Sequence, residues 1–185
     1  MQIHYVTSNK EKFLEASYTL KSLENIDFIH TSIDLQELQG TRQEIANHKA
    51  WAAFNHLKQP VITDDVSLCC DALNGFPGPY VKYFFATLGI ERCVQLISSL
   101  QTPACKVICT LALCDGKSVR LFEGVCDGIL VKPRGSTQYG KCSWTPIFQP
   151  HGSNKTLGEM TVEEISAISH RHRALLQLKQ HVENL

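Results

Sequence analysis

The sequence predicts a mixed α/β protein, a mixed β-sheet with helices around it. Two observations lead there. Short β-branched runs alternate with helical patterns over the first hundred residues or so, and two long β-rich runs near the middle are joined by Asp115-Gly116. Alternation favours parallel strands with crossover helices, whereas a long hairpin adds antiparallel ones, so the sheet is mixed in an α/β or α+β arrangement. At 185 residues the chain is expected to form one domain, 1–185, with a full hydrophobic core.

Ile3–Thr7 reads as the first strand. Ser8-Asn9-Lys10-Glu11 has capping-box character and opens a helix to about Leu23. Asp27–Ser32 is a second short strand. Thr41-Arg42-Gln43-Glu44 is another capping-box pattern, before a helix with Ala46, Ala50, Ala53, Phe54 and Leu57 on one face. Val61–Thr63 is the third strand. Tyr80–Leu88 and Ile90–Ser99 read as helices. Lys106–Leu113 and Ser118–Val131 form the hairpin around Asp-Gly. Pro133–Pro150 is loop-like, Thr161–Ser166 a helical turn, and His170–Val182 the closing helix, apolar at Ala174, Leu175, Leu178 and Val182.

Composition excludes several classes. The formal net charge is zero, so no global basic field attracts nucleic acid, and no polybasic tail suits a membrane surface. No apolar run has the length of a transmembrane helix. Met1–Val6 is strand-like rather than a signal peptide, which points to a cytoplasmic protein. The eight cysteines include no Cys-x-x-Cys pair, and several lie inside apolar runs. They read as buried free thiols in a reducing compartment.

The most informative stretch is 62–82. Val61–Thr63 ends on Asp64 and Asp65, and a turn-rich loop, Asn74–Pro79, then delivers Tyr80 and Lys82. Carboxylates at a strand end suit a hard cation such as Mg²⁺, and a lysine a short loop later suits the phosphates it carries. A solvated acidic turn explains the Asp pair alone equally well; the whole run points to chemistry. Thr7–Lys12 sits where a strand meets a helix, a place where backbone N–H groups attract phosphate. No Walker-type glycine loop is present. Glu44 suits a capping box whatever the function, and such a glutamate can also reach a metal; spacing does not separate the two. Trp144 lies in a loop where an aromatic can stack on a base or anchor a core. Ser169 is a natural N-cap for the last helix. His170 and Arg171 then carry positive charge where the helix dipole disfavours it, which fits an anionic or carbonyl-bearing ligand or a basic surface turn.

Taken in order, these constellations resemble the inosine triphosphate pyrophosphatase family. The resemblance is carried by Thr7-x-Asn9-x-x-Lys12-x-x-Glu15, Asp34-Leu35-x-Glu37-x-Gln39-Gly40, Glu44-Ile45, Asp64-Asp65 with Leu68, and Ala72-Leu73-x-Gly75-x-Pro77-Gly78-Pro79-Tyr80-x-Lys82. It continues through Pro133-Arg134-Gly135, Trp144-x-Pro146-x-Phe148, Thr156-x-x-Glu159-Met160 and Ser169-His170-Arg171. It implies an elongated mixed sheet with flanking helices, two lobes around a deep nucleotide cleft, and a homodimer. It implies Mg²⁺-dependent hydrolysis of deaminated purine nucleoside triphosphates to monophosphate and pyrophosphate, with Mn²⁺ as a substitute metal. Glu44 and Asp65 would hold the metal, with Asp65 also the base. Thr7, Asn9, Lys12 and Lys82 would bind the triphosphate, and Trp144, Ser169, His170 and Arg171 the base.

The chain departs from the family pattern in three places, all in the implied base pocket. Thr145 stands where the family has Asp, Ile165 where it has Lys, and Lys141-Cys142-Ser143 look inserted between Tyr139-Gly140 and Trp144. The metal and phosphate motifs stand. Other readings are a pyrophosphatase with a shifted or broadened nucleotide range, or a nucleotide-binding protein without turnover.

Overall fold

The computed structural model describes residues 2–23, 26–136 and 143–184. Among these residues seven strands form one sheet: β1 (Gln2–Val6), β2 (Asp27–Thr31), β3 (Val61–Cys70), β4 (Pro77–Gly78), β5 (Ala104–Cys114), β6 (Val119–Leu130) and β7 (Phe148–Pro150). Their order is β2-β1-β3-β5-β6-β7, with β4 paired to β3. β1 runs parallel to both β2 and β3, whereas β4 and β7 pair antiparallel to β3 and β6. The mixed sheet is the one expected. Among the described residues six α-helices accompany it: α1 (Lys10–Leu20), α2 (Arg42–Leu57), α3 (Val81–Leu88), α4 (Ile90–Ser98), α5 (Val162–Ile168) and α6 (His170–Glu183). None of the described helices is long and apolar enough to cross a membrane.

The chain divides into two compact units. The first holds 1–65, 109–124 and 171–185; the second holds 66–108 and 125–170. In the first unit the strand period of two sorts side chains onto two apolar clusters. Ile3, Tyr5, Ile62, Leu111 and Phe122 pack with Ala16 and Leu20 of α1 and with Leu175 and Leu178 of α6. Val6, Val61 and Ala112 pack with Ala46, Ala50 and Ala53 of α2. The alanine stripe read from the sequence is therefore the buried face of α2.

The ends of these helices follow their cap chemistry. Asn9, not Ser8, caps α1: its Oδ1 accepts from the Glu11 and Lys12 N–H groups at 3.0 and 3.3 Å. Thr41 and Glu44 form both halves of a capping box at α2. The Asp115-Gly116 turn appears as expected: Asp115 Oδ1 accepts from the Lys117 and Ser118 N–H groups, and Gly116 takes φ +86°.

One expectation is corrected. The third strand does not end at Asp64-Asp65 but continues to Cys70. Asp is a poor strand residue, yet the ladder runs through it. Val61–Thr63 pair with β1, and Leu68 and Cys69 pair with β4. Adjacent residues of a strand face opposite sides, so the two acids part. Asp64 shares a face with Ile62, and Asp65 shares one with Val61.

The second unit has its own core, in which Leu68, Phe85, Ile97, Val107, Phe148 and Leu157 are buried. Its Pro133-Arg134-Gly135 motif is explained by close backbone packing. Ser136 N–H donates to Gly158 O, and Thr156 Oγ1 donates to Arg134 O, both at 2.9 Å. A Cβ on Gly158 would lie 2.7 Å from Ser136 O and 2.9 Å from Arg134 O. Seven cysteines are free, and six of these are buried; Cys142 lies outside the described residues. Burial pushes the Cys93 thiol up to about 11 and the Cys70 thiol up to about 12, as expected of unreactive core thiols.

Gly158→Ala is expected to destabilise the protein by about 1–3 kcal/mol, because backbone rather than a flexible side chain blocks the added methyl. Urea unfolding of the variant against wild type checks this.

Candidate active site

The first unit buries an ionic cluster around Asp64. Tyr5 OH donates to Asp64 Oδ2 at 2.7 Å, and Lys12 Nζ donates to Asp64 Oδ1 and to its main-chain O, both at 2.9 Å. Arg171 Nε donates to Oδ2 at 2.7 Å, while its Nη1 donates to Glu15 Oε2 at 2.6 Å. Lys12 and Glu15 are three apart on α1, hence neighbours on one helix face. Two acids and two bases balance. The Asp64 side chain is fully buried and that of Arg171 is 4% exposed.

Burial alone would raise the Asp64 carboxyl. The Arg171 guanidinium and the Lys12 ammonium outweigh it and hold Asp64 far below the usual carboxylate range. Burial, with the Asp64 charge beside it, pushes the Tyr5 phenol well up, so Tyr5 stays a donor.

On the opposite strand face, Asp65 Oδ1 accepts from Lys49 Nζ at 2.5 Å, and Lys49 lies 3.7 Å from Glu37. Burial would lower the Lys49 ammonium, but the Asp65 carboxylate outweighs it and raises it. Asp65 Oδ2 is buried without a hydrogen-bond partner among the described residues. Such an atom wants a donor or a cation.

Glu44 is exposed at the third position of α2. Its Oε2 accepts from Thr41 N–H and Oγ1, both at 2.8 Å, which holds its carboxyl below the usual range. Its Oε1 accepts no hydrogen bond among the described residues. A Cβ at Gly40 would come within 3.0 Å of Glu44 Oε2, so glycine leaves this carboxylate clearance. Glu44 lines a concavity of about 490 Å³ with Gln43, Asn47, His48, Trp51 and Leu121. Among the described residues, no three His, Cys, Asp or Glu side chains form a group that could hold a metal ion. Mg²⁺ does not require one, since it keeps waters and takes one or two carboxylates plus substrate phosphates. The bare Oδ2 of Asp65 and the open Oε1 of Glu44 fit that demand.

The expected phosphate residues are placed as follows. Thr7 Oγ1 accepts from Asn9 N–H at 3.1 Å, and His30 Nε2 donates to Thr7 O at 2.9 Å, shaping the turn before α1. Asn9 caps α1. Lys82 is exposed in the first turn of α3, with its Nζ 5.7 Å from the Tyr83 ring centroid. In the second unit Trp144 meets Phe148 edge-on at 5.7 Å, and its ring also lies 5.7 Å from that of His170. Ser169 and His170 are buried.

The expected departures are resolved differently. Thr145 is 1% exposed, with its hydroxyl 2.8 Å from Ser143 Oγ. Ile165 is 3% exposed and belongs to the apolar core of the second unit, so here the position is a packing residue. Tyr139, Gly140, Lys141 and Cys142 lie outside the described residues.

Sequence reasoning missed Lys49 and the hub role of Asp64. It quoted Glu15 without giving it a part. The signal was available in strand parity: once β3 extends beyond Thr63, Asp64 must join Tyr5 and Ile62, and Asp65 must face α2.

Residues 3–181 match the Ham1 family. The chain belongs to this family. It is 37% identical over 186 residues to the inosine triphosphate pyrophosphatase of Aspergillus fumigatus, covering all of this chain and 96% of that one. It is 38% identical over 181 residues to that of Yarrowia lipolytica, covering 97% and 94%. Among solved structures, a HAM1 protein from Coxiella burnetii superposes with TM-score 0.88 at 26% identity over the full length of both chains. A nucleoside-triphosphatase described as a dITP/XTP pyrophosphatase, from Mycobacterium abscessus, gives 0.75 at 25% identity, covering 96% and 97%.

Asp64→Asn is expected to destabilise the protein at pH 7 by about 3–5 kcal/mol, because it leaves buried cations short of a counter-charge. The native Asp64 carboxyl is depressed, so its contribution is complete above about pH 4, the unfolded carboxylate range, and declines as pH falls below that. The stability gap between wild type and variant therefore narrows with acidification below about pH 4, which denaturant titrations across pH check.

Proposed function

We propose that this Ham1-family chain is a nucleoside triphosphate pyrophosphatase. It hydrolyses inosine, deoxyinosine and xanthosine triphosphates to monophosphate and pyrophosphate. The observation that carries this reading is full-length similarity, at 37–38% identity, to relatives named inosine triphosphate pyrophosphatase. The chain acts as one functional domain, since the family match runs through both compact units. It works as a cytoplasmic homodimer.

Glu44 and Asp65 would hold Mg²⁺, or Mn²⁺ in its place, which when bound would supply charge neutralisation at phosphate and a more acidic water. Asp65 would take the proton from water. Lys49 holds its Oδ1 at 2.5 Å, and its Oδ2 accepts no hydrogen bond among the described residues. Thr7, Asn9, Lys12 and Lys82 would bind the triphosphate. Phosphoryl-transfer catalysis rests on positioning and charge neutralisation, which is what amides at a helix start and two lysines supply. Trp144, Ser169, His170 and Arg171 serve the base. Asp64 and Glu15 fix the Arg171 plane, and a fixed guanidinium donor suits the 6-oxo and N7 acceptors of hypoxanthine or xanthine. The adenine amino group would set donor against donor there, which works against ATP.

The test is a panel of inosine, xanthosine, guanosine and adenosine triphosphates with Mg²⁺. Pyrophosphate is scored directly, with no auxiliary pyrophosphatase present. Pyrophosphate release fastest from the inosine or xanthosine substrate is expected, and Asp65→Asn should lower it at least about a hundredfold while nucleotide binding persists. Orthophosphate as the direct product, or near-normal turnover by Asp65→Asn, would overturn the reading.

A further inference from the structure

The carboxylate of Glu123, on β6, gathers more donors than an ordinary surface glutamate. Arg42 donates to it through Nε at 2.8 Å and Nη2 at 3.3 Å, one nitrogen to each oxygen. Gln43 Nε2 and Thr110 Oγ1 donate to Oε1 at 3.1 and 3.0 Å. Its main-chain carbonyl accepts from Gln177 Nε2 of α6 at 2.8 Å. Every one of these groups belongs to the first unit.

The donors lie at a telling place. Arg42 and Gln43 are the first two residues of α2, and the third is Glu44, whose carboxylate is tied back to Thr41 in the capping box. The seat of this first turn therefore fixes where the Glu44 carboxylate stands. Leu121, two residues before Glu123 and so on the same face of β6, lines the concavity together with Gln43 and Glu44. Forked arginine–carboxylate contacts impose direction as well as attraction. A carboxylate facing a helix N-terminus also gains from the helix dipole.

From this geometry we propose that Glu123 is a positioning residue for the reaction, seating the first turn of α2 so that Glu44 presents its open oxygen to the divalent cation. The inference rests on the pyrophosphatase reading and assigns it a residue outside the substrate and metal contacts. Groups that orient a metal ligand typically set metal affinity by tenfold or more. Their weight in stability is small where, as here, both partners are about one-third exposed, 33% for the Arg42 side chain and 29% for Glu123.

Glu123→Gln is the test, with two readouts. With inosine triphosphate, the Mg²⁺ concentration for half-maximal turnover should rise about tenfold, while the nucleotide KM at saturating Mg²⁺ stays within about twofold. Separately, Mn²⁺ binding to the complex with a non-hydrolysable inosine triphosphate analogue, followed by water-proton relaxation, should weaken by about the same factor. Arg42→Gln should reproduce both effects, and the double variant should add little to either single one. Unchanged metal dependence in both readouts, or losses that merely follow a lower melting temperature, would overturn the proposal. Should wild type itself turn over no substrate, the pyrophosphatase reading fails, and the Mn²⁺ measurement still judges Glu123.

Discussion

The first unit is organised around one buried negative charge. A carboxylate placed inside a protein without partners costs several kcal/mol, and the Asp64 side chain is fully buried. It is tolerable because Arg171, Lys12 and Tyr5 converge on it and Glu15 takes the remaining charge of the arginine. Replacing the whole set with well-packed apolar residues could leave the fold as stable or more so. The set is better understood as a positional device. It binds the second residue of α6 to the first turns of α1 and to the middle of β3, so that residues far apart in sequence hold one geometry.

That geometry gives two adjacent acids different surroundings. Asp64 and Asp65 are chemically alike, and the strand alone makes them different. One faces α1 and α6 and is saturated with donors. The other faces α2, has one oxygen held by Lys49, and keeps the second oxygen without a partner among the described residues. A saturated carboxylate makes a good anchor and a poor base. A half-satisfied one suits metal and proton chemistry.

Much of the fold was legible because local signals agreed with tertiary ones. Thr41 and Glu44 spell a capping box, Asp115-Gly116 spells a hairpin turn, and the alanines of α2 spell a buried face; each is found. The length of β3 was not legible. Asp-Asp reads locally as a strand end, and pairing with β1, β5 and β4 carries the strand through it. For the same reason the hub at Asp64 was hidden, since its partners come from residues 5, 12 and 171 and no short window contains them. Lys49 sits in an unremarkable stretch of helix and acquires meaning only when Asp65 faces it. Ile165 shows the converse. A departure from a family motif suggested a change in base reading, whereas its side chain packs in the core of the second unit.

The central claim is that Lys12 and Arg171 are energetically joined through Asp64. A double-mutant cycle with Lys12→Met and Arg171→Met, read as unfolding free energies at pH 7, tests it most directly. The account predicts that the double variant departs from the sum of the two single effects by more than about 1 kcal/mol, because the two changes share one buried counter-charge. Additivity within about 0.5 kcal/mol would contradict it.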